Sequence, residues 1–88
     1  MYSISYSKKA LNDLRKLKTN KKLLEKIQNI LVEICDNPFS ETHKFERLKH
    51  NYSGFCSKRL DKKNRIIYRV VDDKVIVIIL SVLGHYQD

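Results

Sequence analysis

Two glycines, one proline and two cysteines in 88 residues are too few for several kinds of chain. Scarce glycine and proline, set against 42% hydrophobic residues, describe a folded domain and not a disordered tail. Cys35 and Cys56 stand outside any CxxC or CxxH spacing. Neither a zinc site nor a disulfide framework is supported, and both thiols are expected as reduced, small apolar residues. Long hydrophobic runs are missing too: the longest, Val75 to Leu80, is far below the roughly 18 residues a bilayer span needs. Met1-Tyr2-Ser3-Ile4 opens no signal-peptide core, so the chain is expected to be soluble, unexported and cytoplasmic, with no membrane partner. There are no repeats and no low-complexity segments. The length fits one domain over residues 1–88 that buries only about 60–65% of its unfolded surface. A large cofactor cavity is excluded by that size, and neither a cofactor nor a metal is expected.

Negative charge is also scarce. Eighteen Lys and Arg face ten Asp and Glu, a formal net charge of +8. Such an excess concentrates polyanions at the surface and speeds their encounter, with nucleic acid the leading class of partner. The basic residues form two groups. Lys8 to Lys26 holds eight against Asp13 and Glu25, and Lys44 to Arg69 holds nine against Glu46 and Asp61. The first reads as a solvated helical face that attracts RNA at long range. The second is interleaved with Tyr52, Phe55 and Tyr68, a mixture suited to phosphate contact and base stacking on a sheet. Within it, Arg59 and Arg65 fall on strands, where a guanidinium is held in fixed geometry for phosphate.

The hydrophobic pattern predicts an α+β domain. Tyr2 to Tyr6 alternates as a short strand, and Ser7 fits a helix N-cap. Ala10, Leu11, Leu14 and Leu17 form one helical stripe, which Thr19-Asn20 interrupts. Leu23, Leu24, Ile27, Ile30, Leu31 and Ile34 form another from Lys21 to Asp36, ended by Pro38. The polar stretch Ser40 to Lys49 reads as a loop of functional character. Tyr52 to Leu60, Arg65 to Val71 and Val75 to Leu83 then read as a three-stranded antiparallel meander, with a tight turn at Asp72-Asp73. The two helices form a hairpin packed on one face of the sheet. Val75 to Leu80 is apolar on both faces, so its second face is covered either by loops and the C-terminal tail or by a partner.

Cleaving RNA through side chains takes a base for the ribose 2′-OH, a cation for the charge building at phosphorus, and an acid for the departing 5′-oxygen. Glu46, isolated among Lys44, Arg47 and Lys49, fits the base, and Arg65 fits the charge stabiliser. His85, near neutrality in its ordinary titration, fits the acid, with His43 and His50 as competitors.

The run Leu48-Lys49-His50-Asn51-Tyr52-Ser53-Gly54-Phe55-Cys56-Ser57-Lys58-Arg59, then Arg65-Ile66-Ile67-Tyr68 and Gly84-His85-Tyr86, closely resembles the Txe/YoeB family of toxins. That family lies within the RelE-type superfamily of bacterial toxin-antitoxin systems. The resemblance spans essentially the whole chain and implies a RelE-like fold. It further implies an mRNA interferase that enters the ribosomal A site and cuts mRNA by the 2′-OH route without a metal. By matching motif, Glu46 resembles the general base, Arg65 the transition-state arginine and His85 the general acid. Lys49 and Arg59 resemble residues that hold the mRNA backbone, and Tyr86 the terminal tyrosine that orients substrate. Cys56 stands where family members often carry an aromatic residue, a position the resemblance connects with stacking. The implied partners are the ribosome with its mRNA, a second copy in a homodimer, and a cognate antitoxin whose C-terminal segment covers the site. Two other readings share these features: a non-catalytic toxin of the same fold that inhibits by binding, as the gyrase-directed relatives do, and a plain RNA-binding module.

Overall fold

The computed structural model describes residues 2–79. Strand β1 (Ser3–Tyr6) leads into helices α1 (Lys8–Lys16) and α2 (Lys21–Asp36). Four strands follow: β2 (Glu46–Arg47), β3 (Phe55–Arg59), β4 (Arg65–Val71) and β5 (Lys74–Ile79). They make one five-stranded sheet in the order β1-β5-β4-β3-β2, antiparallel except where β1 runs parallel to β5. The α+β architecture is the expected one, with a longer meander. The stretch Ser40 to Lys49, expected as a loop, contributes β2, and His50–Tyr52 forms a 3₁₀ turn ahead of β3. A two-residue strand carries no period that sequence could reveal. It exists because β3 offers it an edge: Glu46 pairs with Ser57 and Arg47 with Cys56.

Local chemistry explains the helix limits. The Ser7 hydroxyl accepts from the Ala10 N–H at 3.0 Å, and the Asn20 side chain accepts from the Leu23 N–H at 3.1 Å. Each satisfies an amide that the first helical turn leaves without a partner. Asn37 takes extended backbone before Pro38, as the residue preceding a proline prefers. Leu23, Ile27, Ile30 and Ile34 of α2 pack with Ala10 of α1 onto Cys56, Leu60, Ile66, Tyr68, Val75 and Val77. Apart from Leu60, which follows β3 in the same phase, these are alternate positions of β3, β4 and β5, so one face of the sheet is the core face. Leu11, expected on the α1 stripe, is instead 44% exposed, whereas Asp13 is buried with Lys9 Nζ 3.2 Å from its carboxylate. The contact line of α1 runs through residues 10, 13, 14 and 17, and Leu11 lies off it.

The Asp72-Asp73 turn is present, with Asp72 in the left-handed region at φ 56°. β5 is an interior strand between β1 and β4, with Val75 and Val77 on the core face and Ile76 half-buried on the other. Its register shifts by one residue, since Ile67 pairs with Ile79 while Tyr68 pairs with Val77. Residues 80–83 of the expected last strand lie outside the described residues.

Candidate functional site

Period-2 alternation decides which basic residues reach the sheet face turned away from the helices. On β3 that face takes Phe55, Ser57 and Arg59, and on β4 Arg65, Ile67 and Arg69. β2 adds Glu46, opposite Ser57, and sends Arg47 to the helix side, where its guanidinium lies 4.7 Å from the Phe39 ring centroid. Arg59 and Arg65 stand directly across from each other. Like charges paired this way repel. The compensating charge is Glu46, whose Oε1 is 3.5 Å from Arg65 Nη1. Glu46 is 55% exposed and Arg65 24%, so solvent screens the pair and it contributes no more than about 1 kcal/mol. Two guanidinium groups and one carboxylate thus share a patch of net charge +1, suited to receive one phosphate.

The far end of the same face has different chemistry. Arg69 lies over the Phe55 ring at 5.9 Å, and Tyr52 meets Phe55 edge-on with centroids 6.2 Å apart. The face therefore passes from cationic at Arg59 and Arg65, through Glu46 and Ser57, to aromatic at Phe55. Gly54, at φ 92°, makes the turn from the 3₁₀ segment into β3 with backbone that side chains other than glycine rarely adopt.

Of the expected site residues, Glu46 and Arg65 are in contact and Arg59 adjoins Arg65 in register. Lys49 is exposed and precedes the 3₁₀ turn that follows β2. His85 and Tyr86 lie outside the described residues. His43, a competitor for the acid, is engaged elsewhere: its Nε2 is 3.2 Å from Glu33 Oε2. His50 is exposed at φ 54° in the 3₁₀ turn.

Two members of the expected cation and aromatic cluster, Tyr68 and Lys58, face inward instead, and so does Cys56. Tyr68 is fully buried, donates to the Pro38 carbonyl at 2.6 Å, and has its hydroxyl pKa pushed up by burial. Cys56 is 4% exposed in the core, and burial raises its thiol pKa, so position 56 stacks on no substrate. Lys58 is 0% exposed. The signal for all three was the alternation itself, because they share the phase of Leu60 and Ile66.

Lys58 is the residue that residue-type reasoning most misjudged. Its amine donates to the Ser40 carbonyl at 2.8 Å and hydroxyl at 3.2 Å, and to the Thr42 carbonyl at 3.0 Å and hydroxyl at 2.9 Å. Glu33 Oε1 lies 3.9 Å away. Both hydroxyls donate onward to Glu33, and the Phe45 ring covers the amine at 5.2 Å. Thr42 is the main cause holding the Glu33 carboxyl below its ordinary pKa; burial opposes this, and Ser40, Lys58 and His43 add to it. Burial pushes the Lys58 amine pKa down, partly offset by Glu33 and Glu41. The cluster straps residues 40–45 to β3, and those residues deliver the chain into β2 and Glu46. Arg59 N–H closes the strap by donating to the His43 carbonyl at 2.7 Å.

A cavity of about 300 Å³ opens on the helix side of β2, lined by Phe39, Arg47, Leu48, Phe55, Cys56 and Val70 among others. Neither Glu46 nor Arg65 lines it. These charged residues lie outside this cavity, on the sheet face turned away from the helices.

The chain resembles known proteins in sequence and in fold. The profile of the YoeB-like toxins of bacterial type II toxin-antitoxin systems matches residues 6–86. Toxin YoeB of Escherichia coli O6:H1 is 39% identical over 59 residues, 67% of this chain and 70% of that protein. The mRNA interferase toxin RelE of Escherichia coli K12 is 30% identical over 81 residues, 92% of this chain and 80% of that protein. Among solved structures, YoeB in the heterotetrameric YoeB-YefM toxin-antitoxin complex of Staphylococcus aureus superposes with a TM-score of 0.83 at 30% identity. That match covers 98% of this chain and 99% of the other. The chain is therefore a member of the YoeB-like toxin family of bacterial type II toxin-antitoxin systems, related to the RelE mRNA interferase.

Proposed function

We propose that the chain, as one toxin domain over residues 1–88, is a ribosome-dependent endoribonuclease that cuts mRNA in the A site. Glu46 takes the ribose 2′-OH proton, and the 2′-oxygen attacks its own phosphate. Arg65 neutralises the charge that builds on phosphorus, and His85 protonates the departing 5′-oxygen. A bond from 2′-oxygen to phosphorus forms as the bond to the 5′-oxygen breaks, leaving a 2′,3′-cyclic phosphate that a water molecule hydrolyses to a 3′-phosphate and a free 2′-OH. Side chains supply base, charge and acid, so the route calls for no metal and no cofactor. Arg59, Lys49 and Tyr86 hold the mRNA.

The observation that carries this reading is the Glu46–Arg65 pair at 3.5 Å beside Arg59, a base and two cations within reach of one phosphate. Exposure of Glu46 to solvent suits confinement to the ribosome, since an exposed base gains most from having its substrate positioned for it. The protein would act in the bacterial cytoplasm as a homodimer, and its cognate antitoxin would cover the sheet face that carries Glu46.

The test is to induce the protein in a translating extract and map mRNA 5′ ends on stalled ribosomes. Cuts within A-site codons support the proposal. Arrest with intact mRNA and inhibited supercoiling would replace it with a gyrase-directed toxin, and RNA binding that tolerates Glu46→Ala would replace it with a simple binding module. Glu46→Ala, Arg65→Ala and His85→Ala are each expected to abolish growth arrest while the protein stays folded.

A further inference from the structure

Ser57 occupies the centre of the sheet face turned away from the helices and has no assigned task. It stands directly opposite Glu46 on β2 and opposite Ile67 on β4. The residue is 0% exposed, and its hydroxyl has no hydrogen-bond partner among the described residues. Folded chains seldom leave a buried hydroxyl unsatisfied, and each such group needs a physical account. Ile67, also 0% exposed, offers it nothing polar. The polar side chain across the register is Glu46, and residues paired directly across antiparallel strands have Cβ atoms roughly 4.5–5.5 Å apart. Hydroxyl and carboxylate thus belong to side chains at one and the same register position.

The resting arrangement explains why they are apart. Glu46 leans toward Arg65, at 3.5 Å. A phosphate arriving at Arg59 and Arg65 competes for the Arg65 guanidinium, and Glu46 then loses its cation at the moment it must act as a base. We propose that Ser57 is a positioning residue for Glu46: as Arg65 turns to the scissile phosphate, the Ser57 hydroxyl donates to one Glu46 oxygen and leaves the other facing the 2′-OH. A neutral donor orients the carboxylate without cancelling its charge, as a guanidinium would. The proposal rests on the nuclease reading above.

The experiment measures cleavage of A-site mRNA on programmed ribosomes, with kcat and KM determined separately and melting temperature followed in parallel. Ser57→Ala is expected to lower kcat about tenfold with KM unchanged. Its melting temperature should be equal to or above that of the parent protein, because the substitution removes an unsatisfied buried hydroxyl. Ser57→Thr, which keeps the hydroxyl, should retain most of the rate. Parental kcat in Ser57→Ala, or a Ser57→Thr as slow as Ser57→Ala, overturns the proposal. Glu46→Gln is the control that separates the two levels. If it is inactive while Ser57→Ala is unaffected, only the role of Ser57 falls; if it cleaves normally, the nuclease assignment falls and the role of Ser57 with it.

Discussion

Replacing Lys58 by methionine tests whether the buried amine holds the strap that carries Glu46. Methionine keeps most of the apolar stem, so the change is confined largely to the charge and its donors. Four oxygens of Ser40 and Thr42 lie 2.8–3.2 Å from the amine. The two hydroxyls already reach Glu33 and stay satisfied, so the loss falls on two carbonyls, at about 1 kcal/mol each where water can partly replace the amine. Attraction to Glu33 at 3.9 Å amounts to about 4 kcal/mol at an effective dielectric near 20. Much of that is cancelled because the cost of burying the ammonium also disappears. The net expectation is a destabilisation of about 2–3 kcal/mol, which for a chain of this size lowers the melting temperature by roughly 8–24 °C. Thermal unfolding followed by far-ultraviolet circular dichroism measures it. A double-mutant cycle with Glu33→Gln isolates the ionic part, since Glu33→Gln should cost less in the Lys58→Met background than alone. A melting temperature within 2–3 °C of the parent, taking about 4–8 °C as the shift per kcal/mol, would refute the reasoning. So would additive single effects in the cycle, which would leave Lys58 as a packed aliphatic stem and no more.

Three further outcomes follow from individual contacts. Glu33 has its folded-state pKa below the ordinary value, so its contribution is present above that value and lost as pH falls through the folded-state pKa; urea unfolding at stepped acidic pH should show Glu33→Gln with a shallower acid loss than the parent. Tyr68→Phe leaves the Pro38 carbonyl without its 2.6 Å donor and should cost about 1–2 kcal/mol in urea unfolding with the slope unchanged. Gly54→Ala meets no atom within 4 Å, so a loss of about 1 kcal/mol, read by the same unfolding, measures the φ of 92° alone.

How far the site was legible follows from the same geometry. Glu46 and Arg65 were nameable because an isolated carboxylate among cations and an arginine at the head of a strand are local facts. Their contact at 3.5 Å was not legible, since it depends on a two-residue strand whose pairing partners lie in a separate, later strand. The basic cluster was read as one surface although alternation splits it: Arg59, Arg65 and Arg69 take the face away from the helices while Lys58 turns into the core. Residue type said cation at all four, and only phase along the strand says where the charge goes.

Sequence alone determined the elements whose information is local and periodic. The α2 stripe, the Ser7 cap, the break at Thr19-Asn20, the Arg65–Val71 strand and the Asp72-Asp73 turn each depend on neighbours within a few residues. Charge balance and the family motifs were likewise complete in the chain. Tertiary structure decided what depends on pairing between distant segments: the parallel seating of β1 on β5, the one-residue shift in β5, the edge strand β2, and the burial of Lys58 and Ser57. Periodicity states that a strand has two faces, but which face meets the helices is set by the free energy of burying the larger apolar set. A buried lysine at the end of that set is tolerated because the oxygens of Ser40 and Thr42, many residues earlier, satisfy its charge.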